Sequence, residues 1–255
     1  MAVQLTIVGL GQIGTSVGLA LAEEGERIFR MGHDRELRAA RRAEKLGALD
    51  KVSINLLSAV EDADLVLLAL PVDQIRETLE AFKDDLKPAA VVMDTGPVKQ
   101  TVSSWAADLL PEERYYVGLT PVLNPVYLHD IDSGAEAAHP DLFRDGLVGI
   151  VSPPGTPSEA IKLAADLTRL LGATPLFADP LEMDGLVAAT HILPQLMAAG
   201  MVEGNNSALG AATKNVSPAA GSSSPGKAVA EKREAQVERA TVTRAARKTR
   251  RSMID

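Results

Sequence analysis

The chain of 255 residues contains no cysteine. That excludes a disulfide framework, a thiolate nucleophile and any cysteine-ligated zinc or iron–sulfur centre. Four histidines, His33, His129, His139 and His191, are the remaining soft ligands. The acidic pairs Asp84-Asp85 and Asp130/Asp132 come without an accompanying ligand cluster, so no metal site is expected. The Gly-x-x-x-x-Gly-Lys-Ser/Thr pattern is missing, which removes the P-loop nucleotide hydrolases. The longest apolar run, Leu65 to Val72, falls far short of the roughly 20 residues that span a bilayer. The start, Met1-Ala2-Val3-Gln4, lacks the basic opening of a secretory signal. These absences read as a cytoplasmic protein with no membrane partner.

What is present suits a folded body. Hydrophobic residues make up 46% and charged residues 24% of the chain, enough to bury a sizeable core. The net charge of −8 is unevenly spread. From Gly204 onward the balance is about +6, and before it about −14. The last fifty or so residues have no Phe, Tyr or Trp and are dominated by Ala, Ser, Thr and Arg, a composition that struggles to offset ordering entropy. The folded body is therefore expected to end near Gly204. A frame slip in a GC-rich gene and a native basic tail for an acidic partner or nucleic acid both fit the segment after it.

Before that point, runs rich in Val, Ile and Leu alternate with segments of helical period. Strands are expected at Leu5–Leu10, Arg27–Met31, Asp64–Leu70, Ala90–Asp94, Tyr115–Leu119, Leu147–Val151 and Thr174–Ala178. Helices are expected at Gln12–Glu24, Glu36–Leu46, Gln74–Leu86, Val98–Leu109 and Pro157–Leu171. Strands that are apolar throughout point to a parallel sheet covered on both faces, and the alternation to a doubly wound α/β fold.

The first turn carries the most specific chemistry. Gly9-Leu10-Gly11-Gln12-Ile13-Gly14 is a GxGxxG placed between the first strand and the first helix. Gly9 permits the tight turn, Gly11 lets a pyrophosphate approach the backbone, and Gly14 lets the helix lie against the sheet. The helix N-terminus offers free N–H groups and partial positive charge to the anion. Asp34 closes the second strand, where such folds place a carboxylate for the adenosine ribose, and a carboxylate there repels a 2′-phosphate. NAD is therefore favoured, with Arg35 able to stack on adenine or to tolerate NADP. His33 and His191 read as packing or surface imidazoles, and His139 before Pro140 as coincidental.

The order of motifs resembles the prephenate and arogenate dehydrogenases of tyrosine biosynthesis. The resemblance runs from residue 3 to about 203, through Ile7–Gly14, Asp34-Arg35, Ala63–Val72, Asp94-Thr95-Gly96-Pro97-Val98-Lys99, Asp132–Ala135, Asp141-Leu142-Phe143 and Leu171-Gly172-Ala173. It implies a Rossmann-type dinucleotide domain at residues 1–179 and the truncated start of a helical domain, which forms a homodimer, at 180–203, followed by the basic tail at 204–255. It implies cofactor contacts at Gly9, Gly11, Gln12, Ile13, Gly14, Asp34, Arg35, Leu70, Pro71 and Thr95. The implied reaction is hydride transfer from a small carboxylated hydroxy substrate to NAD.

Departures from the family pattern fall on the catalytic positions. Pro97 stands where the family carries a serine, and Thr120 where it carries a histidine before Pro121. The stretch His191-Ile192-Leu193-Pro194-Gln195 meets the family pattern Ser-His-Leu-Pro-His with neither histidine in place. Candidates for the vacated chemistry near the nicotinamide end are Lys99, Thr120 and Asn124, with Tyr127 beside them. Lys99 is either a solvated surface side chain or an ammonium that meets a carboxylate. Three readings stay open: a dehydrogenase of this type, a related β-hydroxyacid or imine-type dehydrogenase, and a dinucleotide-binding or interaction protein without catalysis.

Overall fold

The computed structural model describes residues 2–127, 132–193, 196 and 197, with backbone alone at 191 and 192. These residues belong to one compact unit ending at Met197. Leu128–Ile131, Pro194, Gln195 and everything from Ala198 on, including His129, Asp130 and the basic tail, lie outside the described residues.

Eight strands form a single sheet. They are β1 (Val3–Val8), β2 (Ile28–His33), β3 (Lys51–Val52), β4 (Leu65–Leu68), β5 (Val91–Asp94), β6 (Tyr115–Pro121), β7 (Leu147–Val151) and β8 (Thr174–Phe177), in the spatial order β3-β2-β1-β4-β5-β6-β7-β8. The first six are mutually parallel, joined by α1 (Gln12–Ala20), α2 (Leu37–Lys45), α3 (Leu56–Val60), α4 (Val72–Phe82) and α5 (Lys99–Leu109). The doubly wound parallel arrangement read from the apolar runs is the one present. β7 pairs antiparallel with β6, and β8 then runs parallel to β7 after α6 (Ser158–Leu170). Continuous apolar strands report burial on both faces but carry no information on direction. Strand direction here follows the connection: an antiparallel neighbour needs no crossover helix, and the described residues between β6 and β7 supply two 3-10 turns, Pro125–Tyr127 and Gly134–Ala137.

Each face of the sheet has its own core. On one, Leu5, Ile7 and Leu67 meet Val17 of α1, Ala40 and Ala43 of α2 and Ala164 of α6. On the other, Val8, Val66 and Val92 meet Ile75, Leu79 and Phe82 of α4 and Val102 and Ala106 of α5. Small residues dominate the inward sides of α2 and α6, so both helices lie close to the sheet. Arg30 of β2 is buried and ties the first face together. It donates to Gly18 O and Gly47 O and forms a bidentate pair with Asp50. Burial pushes the Asp50 carboxyl up, but the hydrogen bonds and charge of Arg30 outweigh it and hold it below the usual carboxylate range.

After β8, Asp179 caps α7 (Pro180–Val187) by accepting from Glu182 N at 2.9 Å, with Pro180 in the first helical position. A wider π-type turn at Ala188–Ile192 continues it. The large apolar residues of this segment divide in two. Met183 and Val187 are buried against the body of the fold, whereas Leu181, Leu186, Leu193 and Met197 are exposed. Met183 fits only because residue 149 on β7 is glycine: a Cβ there would lie 2.2 Å from Met183 Cε.

Candidate functional site

The sheet order reverses direction between β1 and β4, and doubly wound sheets bind ligands at the carboxyl ends of their strands at that point. The Gly9–Gly14 turn sits there. Gly9 has φ +93°, in the left-handed region that glycine alone adopts at low cost. A Cβ on Gly14 would lie 2.0 Å from Gly9 O, so close packing of α1 requires glycine. A Cβ on Gly11 would meet no protein atom within 4 Å, so the fold itself makes no demand for glycine at this position. α1 begins there with no side-chain cap and no acidic residue in its first turn. Its leading N–H groups and positive end are left to an anion. Gly14→Ala is expected to lower stability by about 1–3 kcal/mol in a denaturant titration, because the clash is with backbone that cannot step aside.

Asp34 follows β2 and reaches the same turn. Its Oδ2 accepts from Leu10 N at 2.7 Å and its Oδ1 from Glu36 N at 2.7 Å. The carboxylate thus braces both loops and fixes its own position. His33 bonds Ser53 O through Nδ1 at 3.0 Å, a structural role at the strand end. Two clefts flank this point and share Gly11, Asp34, Arg35 and Gln74. The first, about 280 Å³, is walled by Gly9, Leu70 and Pro71. The second, about 490 Å³, is walled by Arg38, Arg42 and the Gly134–Glu136 turn. Arg42 pairs with Glu136 at 3.0 Å, and Arg35 stands 3.8 Å from Glu77. Arg38, Arg42, Gln74 and Glu136 carried no recognisable signal in sequence, since Glu136 reaches α2 from the β6–β7 connection. A larger cavity of about 590 Å³ lies at the amino ends of β1, β2 and β4, beside Leu163 and Leu167 of α6, at the opposite ends of the strands from the glycine turn.

Further along the same edge, β5 ends at Asp94, whose carboxylate is fully enclosed. Oδ1 accepts from Gly96 N at 2.7 Å and from Lys99 Nζ at 2.7 Å, and Oδ2 from the Tyr116 hydroxyl at 2.6 Å. Lys99 is also fully enclosed, so it is not a solvated surface lysine, and its ammonium is committed to Asp94. Burial pushes that ammonium below the usual lysine range, with the Asp94 charge pulling the other way. Burial, reinforced by Asp94, holds the Tyr116 hydroxyl well above the usual phenol range. Thr95 donates its N–H to Leu68 O at 3.1 Å, and Pro97 is exposed in the same loop. On β6, the Thr120 hydroxyl oxygen is buried without a hydrogen-bond partner among the described residues. Asn124 and Tyr127 lie beyond it. Asn124 Oδ1 accepts from Val126 N at 3.1 Å in a turn, and the Tyr127 hydroxyl donates to Asp141 at 2.6 Å while its ring stacks on His139. The side chain of His191 lies outside the described residues. No group of three or more candidate metal ligands occurs among the described residues, nor any helix long and apolar enough to cross a membrane.

Residues 17–176 match the model of the prephenate dehydrogenase nucleotide-binding domain. The chain belongs to this family. The match begins after the glycine turn. The chain is 29% identical over 201 residues to a prephenate dehydrogenase of Bacillus subtilis, covering 78% of this chain and 52% of that one. It is 30% identical over 203 residues to a cyclohexadienyl dehydrogenase of Zymomonas mobilis, covering 78% and 67%. The chain thus spans about half the length of the first of these relatives. The fold is also that of the prephenate dehydrogenase from Aquifex aeolicus solved with hydroxyphenyl propionate and NAD+, with a TM-score of 0.70 at 24% identity over 80% of this chain and 69% of that one.

Proposed function

We propose that the chain is a prephenate- or arogenate-type oxidoreductase that binds NAD and removes hydride from a small carboxylated hydroxy compound. The observation that carries this reading is the glycine turn at the switch point. Of its three glycines, two are required by the fold and Gly11 by nothing in the fold, as expected where a ligand's pyrophosphate approaches. Bound nicotinamide supplies the hydride acceptor. The first turn of α1, opened by Gln12 and Ile13, would hold the pyrophosphate through its N–H groups. Asp34 keeps free lone pairs for the adenosine ribose after accepting its two backbone bonds. Leu70 and Pro71 after β4 and Thr95 after β5 lie at the same edge, where they would meet the nicotinamide half.

Thr120 can orient a substrate hydroxyl but cannot take its proton at neutral pH. Loss of a positioned general base costs about 10²–10⁴ in rate. Slow turnover is therefore expected. The specific observation favouring the second reading, a dinucleotide-binding protein without catalysis, is the placement of Pro97 and Thr120 where the resembled family carries serine and histidine. Nicotinamide fluorescence during incubation with NAD and prephenate, arogenate or a panel of hydroxy acids separates the readings. A rise with prephenate or arogenate supports the dehydrogenase, a rise only with another hydroxy acid the related enzyme, and cofactor binding without any rise the silent protein. A homodimer would cover the exposed Leu181, Leu186 and Leu193.

Cofactor choice is predicted as well. Asp34 lies where a 2′-phosphate would meet like charge, and Arg35 is partly neutralised by Glu77. NAD is expected to bind about tenfold or more tightly than NADP, and Asp34→Ser to narrow the gap, in parallel fluorescence titrations. A wild-type preference for NADP would show that the arginines of the second cleft decide the site.

A further inference from the structure

Lys99, Asp94 and Tyr116 form a cluster of enclosed polar side chains at the carboxyl edge of the sheet, and none of the three lines the two clefts beside Asp34. Such a cluster costs desolvation free energy, which geometry and additional hydrogen bonds must offset. Here Asp94 accepts three bonds, from a loop amide, an ammonium and a phenol. Two glycines make room for it. A Cβ on Gly96 would lie 2.9 Å from Asp94 Oδ1, and one on Gly118 would lie 2.7 Å from Lys99 Cδ and 2.8 Å from the Tyr116 oxygen. Tyr116, Gly118 and Thr120 alternate along β6 and share one face of the sheet, so the cluster lies in the same row as the unpartnered Thr120 hydroxyl.

A second carboxylate closes the arrangement from outside. Asp184 of α7 accepts from Lys99 N at 2.5 Å and from Gln100 N at 3.1 Å, and so caps α5 from a helix 85 positions later in the chain. The segment Thr95–Val98 is therefore held at its base by Asp94 and at its far end by Asp184. α5 has no cap of its own.

We infer that the enclosed Asp94–Lys99 pair, with Tyr116 and Asp184, is a positioning device that sets the Thr95–Val98 loop against the nicotinamide half of the cofactor and couples that loop to α7. In this role the four act through the loop rather than on the reacting atoms, as positioning residues. This inference rests on the dinucleotide reading, because without a nicotinamide beside the loop there is nothing to position.

The test compares NADH with ADP-ribose, which shares the adenosine and pyrophosphate but lacks the nicotinamide. Both are titrated by calorimetry against full-length wild type, Tyr116→Phe, Asp184→Ala and Asp184→Asn, with thermal unfolding recorded for each variant. Tyr116→Phe and Asp184→Ala are expected to weaken NADH by about three- to tenfold, the worth of one hydrogen bond, while leaving ADP-ribose unchanged. The emission of bound NADH is expected to fall in the same variants. Asp184→Asn, which keeps an acceptor oxygen for the α5 amides, is expected to recover most of the NADH affinity. Equal weakening of both ligands, or no change in either, would overturn the positioning role and leave the dinucleotide reading intact. Failure of wild type to bind either ligand would overturn the dinucleotide reading, and the positioning role with it.

Discussion

Gly11→Val is expected to weaken NADH binding by more than about 100-fold while changing folding stability by less than about 1 kcal/mol. The stability term is small because residue 11 has extended backbone angles that any L-residue adopts, and because an added Cβ meets no protein atom within 4 Å. The binding term is large because the isopropyl group would occupy the approach to the first N–H groups of α1. Each charge-assisted hydrogen bond to a phosphate contributes about 1.5–3 kcal/mol, and losing two exceeds the 2.7 kcal/mol that corresponds to 100-fold. The contrast with Gly14→Ala is the informative part. That variant fails through the fold, this one through the ligand. NADH fluorescence titration beside thermal unfolding of the two variants separates the effects.

Lys99→Met is expected to destabilise the protein by about 3–5 kcal/mol, the loss typical of leaving one partner of a buried ion pair uncompensated. Its methylenes would still fill the space over Gly118, so the loss measures charge rather than volume. Asp94→Asn should be milder and pH-dependent. Its remaining lysine is enclosed, with an ammonium already pushed down by burial, and lacks the carboxylate that opposes that push. A lysine whose pKa is lower folded than unfolded penalises the folded state while the unfolded chain binds the extra proton. The penalty therefore shrinks as pH rises toward the ordinary lysine value of about 10.4. The double variant Asp94→Asn/Lys99→Met is expected to lose less than the sum of the two single losses. Denaturant titrations at two pH values measure all three.

What sequence conveyed and what it did not divide along physical lines. Gly9 and Gly14 were legible because backbone geometry at a strand–helix turn allows few other residues, and the position of Asp34 because it directly follows the second strand. Five of the six parallel strands, β1, β2, β4, β5 and β6, were legible from apolar runs. β3, two residues long, and α3, five residues long, are too short to show a period. The reversal at β7 is a property of the connection before it rather than of the strand. Lys99 was legible as a residue of interest, but its burial depends on Gly118 and Tyr116, which neighbour it only through strand pairing and packing. The same holds for Asp184 on α5 and for Glu136 on Arg42. Each joins residues 85 or more positions apart, and one sequence carries no record of such contacts.

A dinucleotide is expected to lie across the carboxyl edge of the sheet, from Asp34 over the glycine turn toward Thr95. Hydrogen–deuterium exchange of the full chain with and without NADH tests it most directly. Protection is expected at Leu10–Thr15, Asp34–Arg42 and Thr95–Lys99 together. Protection confined to the amino-end cavity around Val3, Ile28 and Leu163, or none at the glycine turn with NADH in excess, would contradict it.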